Sequence, residues 1–234
     1  MRGYIDGAFD LVHAGHFNAI RQGKATCDSL VVGLNSDVSI AAVKGPTVMN
    51  DKERATIIKN CKWVDEILPQ TQYDVSEEIL ENMNCDFYIH GDDPCYVNGL
   101  DICKKFAEAG KFRMIKRTTG ISTTDLTGRL LKLVEENSTD NKERVDGDGP
   151  VSPSELTEPP KQAFLQTSER IRNFSNKKGP KPGDTIVYFQ SSCDLMHPGV
   201  IERLKLAKEQ GDFLYVGIWD DDMIRYYRGA SYPL

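Results

Sequence analysis

The chain has 234 residues, 39% of them hydrophobic and 27% charged, with a net charge of −6. This balance suits one folded domain, or one domain and part of another, and argues against a nucleic-acid or membrane surface as the main partner. The longest apolar runs, such as Leu30 to Leu34, are far too short to span a bilayer, and Met1-Arg2 leads into the first strand with no secretory signal ahead of it. The cysteines, at 27, 61, 85, 95, 103 and 193, show neither metal spacing nor a disulfide framework, so a cytoplasmic chain with reduced thiols is expected.

In chain order, Tyr4-Ile5 reads as a strand and Phe17 to Lys24 as a helix. Between them lies the turn Asp6-Gly7-Ala8-Phe9-Asp10-Leu11-Val12-His13-Ala14-Gly15-His16. A helix beginning near His13 puts both imidazoles on one face of its first turn, beside free N–H groups that suit a phosphate. Gly15 lets a ligand approach the backbone. Taken alone, the two histidines fit polar surface equally well, and zinc would lack a third ligand nearby. Ser29 to Leu34 reads as a buried strand, and Asp37 sits past its end, where ligands of open parallel sheets gather. Lys44-Gly45-Pro46 reads as a loop, whose lysine on context-free grounds is a solvated turn residue. Asp51 caps a helix running to Cys61, Trp63 to Leu68 is a strand, Glu77 to Asn82 a helix, and Phe87 to His90 a strand ending in Gly91-Asp92-Asp93-Pro94. Asp101 to Ala109 is helical with Gly110 as its stop, and Phe112 to Lys116 returns to strand. The alternation predicts an α/β fold, a doubly wound parallel sheet with right-handed crossovers. The carboxyl ends of its strands would gather His13, Asp37, His90 and Arg117.

Arg117-Thr118-Thr119-Gly120-Ile121-Ser122-Thr123-Thr124 leads into a helix over Asp125 to Glu136. Ser122 and Thr123 can serve as helix caps, and the same N–H groups, hydroxyls and arginine can cradle a phosphate. From residue 137 the composition shifts to Ser, Asp, Glu, Gly and Pro, a flexible linker to residue 183 with a short helix over Phe164 to Ile171. Then the chain repeats itself. Residues 3–45 align without a gap onto 187–229, so that Tyr4 falls on Tyr188, Asp10 on Asp194, His13 on His197, Gly15 on Gly199 and Gly33 on Gly217. Asp6 becomes Gln190, His16 becomes Val200 and Lys44 becomes Arg228, and nothing matches residues 51–125. The expected organisation is a catalytic domain over 1–136, the linker over 137–183, and a second copy over 184–234 that reads as cut short and non-catalytic by itself.

Gly7-x-Phe9-Asp10-x-x-His13-x-Gly15-His16 resembles a signature of the cytidylyltransferase family, within the wider HxGH nucleotidyltransferases. Arg117-Thr118-x-Gly120-Ile121-Ser122-Thr123-Thr124 resembles its second signature. With Lys44 and Trp63 to Ile67 in order, the likeness covers residues 3 to about 135. It implies a Rossmann-like enzyme that joins CTP to a phosphomonoester and releases pyrophosphate. Members acting on phosphocholine have one copy and continue into a membrane-sensing helix. Those acting on phosphoethanolamine carry tandem copies, and their linker ends in Phe-Leu-Gln-Thr-Ser, as 164–168 do here. The resemblance therefore implies CTP and phosphoethanolamine as partners and CDP-ethanolamine as product. Phosphocholine or glycerol-3-phosphate as acceptor, or a non-catalytic chain that binds CTP or heterodimerises, are the alternatives.

The resemblance also implies roles. His13 and His16 stabilise the α-phosphoryl transition state, and Lys44 and Arg117 bind substrate phosphates. Ser122, Thr123 and Thr124 hold the β- and γ-phosphates, with Gly120 and Ile121 beside them. Ala8 and Phe9 offer backbone contacts to CTP, and Asp37, His90, Gly91, Asp92 and Asp93 complete its pocket. Asp6, Lys44 and Tyr73 meet phosphoethanolamine. For Tyr73 ordinary packing is an equal alternative, and Cys103 stands where relatives usually carry a tyrosine. Mg²⁺ is expected to arrive with CTP, with no metal site in the protein itself. Homodimer or pseudo-dimer packing of the two copies is expected, in the cytoplasm and peripheral to the endoplasmic reticulum.

Overall fold

The computed structural model describes residues 1–97, 99–140, 172–175 and 178–228. They fall into two compact units, Met1–Gly128 with Leu195–Ile201, and Arg129–Asp194 with Glu202–Leu234. The linker residues 141–171, and with them the helix expected at Phe164 to Ile171, lie outside the described residues.

In the first unit the strands are β1 (Arg2–Gly7), β2 (Ser29–Asn35), β3 (Glu66–Thr71), β4 (Phe87–Gly91), β5 (Tyr96–Val97), β6 (Leu100–Asp101) and β7 (Phe112–Ile115). The helices are α1 (Ala14–Lys24), α2 (Asp37–Lys44), α3 (Asp51–Lys59), α4 (Glu77–Asn82) and α5 (Ile102–Glu108), and α6 (Thr123–Asp140) starts in it. Five strands form one parallel sheet in the order β3-β2-β1-β4-β7, while β5 and β6 make a small hairpin. The order runs outward from β1 in both directions, which is the doubly wound, Rossmann-like arrangement. Its ligand crevice opens where the order reverses, beyond the carboxyl ends of β1 and β4. In the centre of the sheet, Leu30, Val31 and Val32 are fully buried, as a strand covered on both faces requires. Tyr4, Val31, Leu80, Tyr88 and Phe106 belong to one packed cluster. Gly33 makes room for it, because a Cβ there would lie 2.1 Å from the Tyr4 hydroxyl.

Several boundaries move from their expected places. Helix α2 occupies residues for which the sequence pattern predicts no element, and it takes in Lys44, expected in a loop. The Ser36 hydroxyl accepts from Ser39 N at 3.1 Å to start it, and Gly45 at φ +96° ends it after Lys44. Only Ser39 and Ile40 are buried along it, so its sequence carries little helical period. Asn50, rather than Asp51, caps α3, in a reciprocal box with Glu53. Strand β3 begins three residues later than expected, because Val64 N is used by Cys61 O in a turn and Asp65 holds Leu30 N at 2.7 Å. Helix α6 starts at Thr123 and runs to Asp140. No described helix is long and apolar enough to cross a membrane.

The second repeat contains β8 (Ile186–Ser191), α7 (Pro198–Lys208), β9 (Phe213–Ile218) and α8 (Asp221–Arg228). The parallel pairing of β8 with β9 runs from Ile186↔Phe213 to Ser191↔Ile218. It repeats, position for position, the pairing of β1 with β2 from Arg2↔Ser29 to Gly7↔Leu34. A Cβ on Gly217 would again lie 2.1 Å from a tyrosine hydroxyl, that of Tyr188. Even the left-handed backbone of Phe9 (φ 48°) recurs at Cys193 (φ 46°). The repeat seen in the letters is thus a repeat of register, glycine packing and turn geometry. Gly229 and the Arg228 side chain, the counterparts of Gly45 and Lys44, lie outside the described residues.

Candidate active site

The turn after β1 is a strained one. Phe9 and Leu11 both adopt positive φ, 48° and 45°, which side chains other than glycine tolerate at a cost. Asp10 between them holds the shape. Its carboxylate accepts from Leu11 N at 3.0 Å, Val48 N at 2.7 Å and Met49 N at 2.9 Å, and its carbonyl accepts from Thr123 Oγ1 at 3.1 Å. One buried aspartate therefore ties together the histidine turn, the loop after Lys44 and the start of α6.

His13 is the N-cap of α1, with Nδ1 accepting from Gly15 N at 3.1 Å. The rings of His13 and His16 stack with centroids 3.9 Å apart, and Phe9 meets His16 edge-on at 5.5 Å. Burial, and after it the nearness of His13, pulls His16 down to about pKa 3. Burial also lowers His13, with Arg117 adding to the effect and Asp125 opposing it. Both imidazoles are then neutral at pH 7 in the free protein. Nδ1 of His16 is buried without a hydrogen-bond partner among the described residues. A polar atom in that state is suited to a ligand that supplies the partner.

Gly15 sets how close the pair can stand. A Cβ there would come within 2.8 Å of His13 Cε1 and 3.3 Å of Ile121 Cγ2. In Gly15→Ala the His13 ring must swing aside, and kcat is expected to fall about 10²-fold, as a 1 Å misplacement can cost. Alanine is about 1 kcal/mol the better helix former, so the melting temperature should not fall with it. A parallel loss of activity and melting temperature would sink this account.

The second motif closes on the first. Gly120 takes φ +79°, a conformation for which glycine is suited. Ser122 caps α6, accepting from Asp125 N at 3.1 Å and donating to the Asp125 carboxylate at 2.6 Å. The capping reading of Ser122 is thus realised, while Thr123 points back to Asp10 and Thr124 is exposed. Arg117 N donates to Asp92 at 3.0 Å and its guanidinium pairs with Asp93 at 3.4 Å, both in exposed positions. Thr118 accepts from Asn18 of α1 at 2.9 Å, and His90 Nδ1 lies 3.2 Å from Gly91 O.

Four further predicted residues are placed around the sheet: Asp37 and Lys44 at the two ends of α2, Tyr73 after β3 and Asp6 near the end of β1. The Lys44 ammonium stands 5.2 Å from the centroid of the Tyr73 ring. Asp37 is committed to neighbours: its carboxylate accepts from Arg54 at 2.7 Å, Thr47 at 3.0 Å and Asp51 N at 2.9 Å. Asp6 accepts from the Tyr88 hydroxyl at 2.9 Å and from Asn35 at 3.3 Å.

The sequence reading missed Arg54, which is fully buried. Its guanidinium donates to the carbonyls of Ala8 and Asn35 and to both Asp37 and Asp51. It thereby joins the loops that follow β1 and β2 to the start of α3. The available signal was an arginine on the same helix face as buried Ile57 and Ile58, a place that calls for an apolar side chain or a buried ion pair. Asp10, Asn35 and Tyr88 were also missed as partners. Among the described residues no group of three or more His, Cys, Asp or Glu stands ready to hold a metal ion.

Comparison with known proteins agrees with this geometry. Residues 4–129 match the family described as cytidylyltransferase-like. The whole chain is 41% identical to an ethanolamine-phosphate cytidylyltransferase of Dictyostelium discoideum, spanning 67% of that protein. It is 36% identical to one of Mus musculus, again over its whole length and 65% of the relative. A probable choline-phosphate cytidylyltransferase of Schizosaccharomyces pombe is 42% identical, but over 56% of this chain and 37% of its own. With a matching Rossmann-like sheet, a stacked HxGH pair and the second motif folded against it, the chain belongs to the cytidylyltransferase-like family.

Proposed function

We propose that this chain transfers CMP from CTP to phosphoethanolamine, giving CDP-ethanolamine and pyrophosphate. The observation that carries the reading is the stacked His13–His16 pair at the switch point of the sheet, with a buried Nδ1 that has no partner among the described residues and the second motif against it. The choice of acceptor is supported by relatives named for ethanolamine-phosphate that match this chain from end to end, where the choline-phosphate relative matches only 56% of it.

A phosphate oxygen of phosphoethanolamine forms a bond to the α-phosphorus of CTP as the bond from that phosphorus to the bridging β-phosphate oxygen breaks, and pyrophosphate leaves with the electron pair. The nucleophile is already an anion, so no strong base is needed. Positioning and charge neutralisation do the catalysis. His13 and His16 donate hydrogen bonds to the phosphoryl oxygens that gain charge. Arg117 exchanges Asp93 for a substrate phosphate, and Lys44 neutralises phosphate charge beside Tyr73. The amides at Gly120 to Thr124 and the hydroxyl of Thr124 receive the β- and γ-phosphates, and Ser122 and Thr123 join them by exchanging their acceptors, the Asp125 carboxylate and the Asp10 carbonyl, for phosphate oxygens. Ala8, Phe9 and His90 to Asp93 form the nucleotide pocket, and Asp37, bonded to Arg54, Thr47 and Asp51, lines it through the part of its side chain that stays exposed. Mg²⁺ enters as the CTP complex. At the amine end Asp6 is a carboxylate with neutral donors on both oxygens and no ion-pair partner among the described residues. A substrate ammonium would supply the missing charge. The reading carries with it a cytoplasmic location.

The test is pyrophosphate release from CTP and Mg²⁺ with phosphoethanolamine, phosphocholine or glycerol-3-phosphate. Release with phosphoethanolamine well above the other two is expected. Equal release with phosphocholine overturns the acceptor assignment. CTP binding with no release from any acceptor overturns the enzyme reading for this chain in favour of a binding role.

A further inference from the structure

Tyr88 is the second residue of β4, paired in register with Tyr4 of β1. Its ring is buried beside Phe106, Phe112 and Tyr4, with centroids at 5.1, 6.2 and 6.2 Å. A phenylalanine would serve that packing equally well, so the hydroxyl calls for a separate reason. It reaches Asp6 Oδ1 at 2.9 Å. The other oxygen receives Asn35 Nδ2 at 3.3 Å, and that amide is itself fixed on Thr71 at 3.1 Å and Gln72 O at 2.9 Å. The carboxylate is therefore held chiefly at Oδ1, by the Tyr88 hydroxyl, while Oδ2 takes the longest share of an amide whose two protons serve three acceptors.

We propose that Tyr88 is a specificity-determining positioning residue, whose hydroxyl turns the Asp6 carboxylate so that its remaining lone pairs receive the N–H groups of a primary ammonium. The proposal rests on the assignment of the amine to Asp6 made above. A primary ammonium offers three N–H donors and a trimethylammonium offers none. A carboxylate fixed in direction thus separates the two by hydrogen bonding, where a freely turning one would separate them little. The hydroxyl also bears on the charge of Asp6. The groups that face it are Tyr4 on its own strand, Tyr88 and His90 on β4, and Cys95 before β5. Burial raises the Asp6 carboxyl above its usual range, and the hydrogen bonds of Tyr88 and Asn35, with His90, oppose that rise. Losing the hydroxyl removes one opposing contribution, so the carboxylate takes up its proton at a higher pH.

The test is Tyr88→Phe in the full chain, which keeps the ring. Carbon-13 NMR of the Asp6 carboxyl and steady-state kinetics are followed over the same pH range. The Asp6 midpoint should rise by about one pH unit, within the ordinary range of single hydrogen-bond effects. The KM for phosphoethanolamine should rise about tenfold, a hydrogen bond to a charged group being worth that much. The acid limb of kcat/KM should move up with the NMR midpoint, while the KM for CTP stays put and the preference over phosphocholine narrows. An unmoved Asp6 midpoint overturns the proposal, and that readout needs no turnover. Asp6→Asn separates the two levels of the argument. If it leaves the KM for phosphoethanolamine unchanged, the amine does not meet Asp6, and the underlying reading falls together with the proposal. If Asp6→Asn raises that KM and Tyr88→Phe does not, the proposal alone falls.

Discussion

His16→Ala should lower kcat for pyrophosphate release by about 10²- to 10³-fold, the loss seen when one preorganised donor to a developing oxyanion is removed. The reason is where His16 stands. It is the third residue of α1, its ring stacked 3.9 Å from His13, and its Nδ1 is buried with no partner among the described residues. Such an atom costs stability unless something arrives to bond it. Removing the ring should therefore leave the fold intact, and CTP should still bind through the other phosphate contacts. The pH dependence gives a second sign. Unfolded histidine takes up a proton near pH 6.5, whereas folded His16 does so only near 3. Between those values the unfolded state binds more protons, so wild-type stability falls as the pH drops through that window. The alanine variant should lose less stability there. Steady-state kinetics with CTP binding by calorimetry, and denaturant melts at pH 7 and pH 5, check both statements. A variant with wild-type kcat would remove His16 from the chemistry.

Arg54→Met should destabilise the protein by about 3 kcal/mol, the low end of the range for breaking a buried ion pair. The low end applies because Asp37 and Asp51 keep side-chain exposures of 35% and 30%, while Arg54 has none. Methionine fills the aliphatic part of the space but takes the guanidinium from the Ala8 and Asn35 carbonyls and from two carboxylates, which keep only neutral donors. For Asp37, burial pushes the carboxyl upward, but hydrogen bonds from Arg54, Asp51 N and Thr47 outweigh it, and the net shift is downward. The stability this supplies is present above the ordinary carboxylate range and is lost as the pH falls through the lower folded value. Arg54→Met should flatten that acid dependence. Urea unfolding at pH 7 and pH 4 measures both effects, and a melt at pH 7 unchanged from wild type would show that Arg54 is dispensable.

The two predictions sit on opposite sides of what could be read in advance. His16 was legible because HxGH packs its chemistry into four consecutive residues. A turn between strand and helix needs no distant partner to place two imidazoles on one face. The alternation of strands and helices gave the parallel sheet for the same reason, since periodicity is local. The tandem repeat was equally plain, and the shared register of β1–β2 and β8–β9 shows that aligned letters meant aligned backbone. Local signals failed where the period was weak, as in α2, or where a turn competed with a strand, as at Val64 before β3.

Sequence by itself thus determined the fold class, the repeat and the two motifs, because each is written in neighbouring residues. Tertiary structure alone decided how the motifs are held. Asp10 meets Val48 and Met49, Arg54 meets Ala8, Asn35 and Asp37, and Tyr88 meets Asp6 across as many as 82 positions of chain. Such contacts follow from strand order and register, and no local pattern of residues records which strand ends will lie side by side.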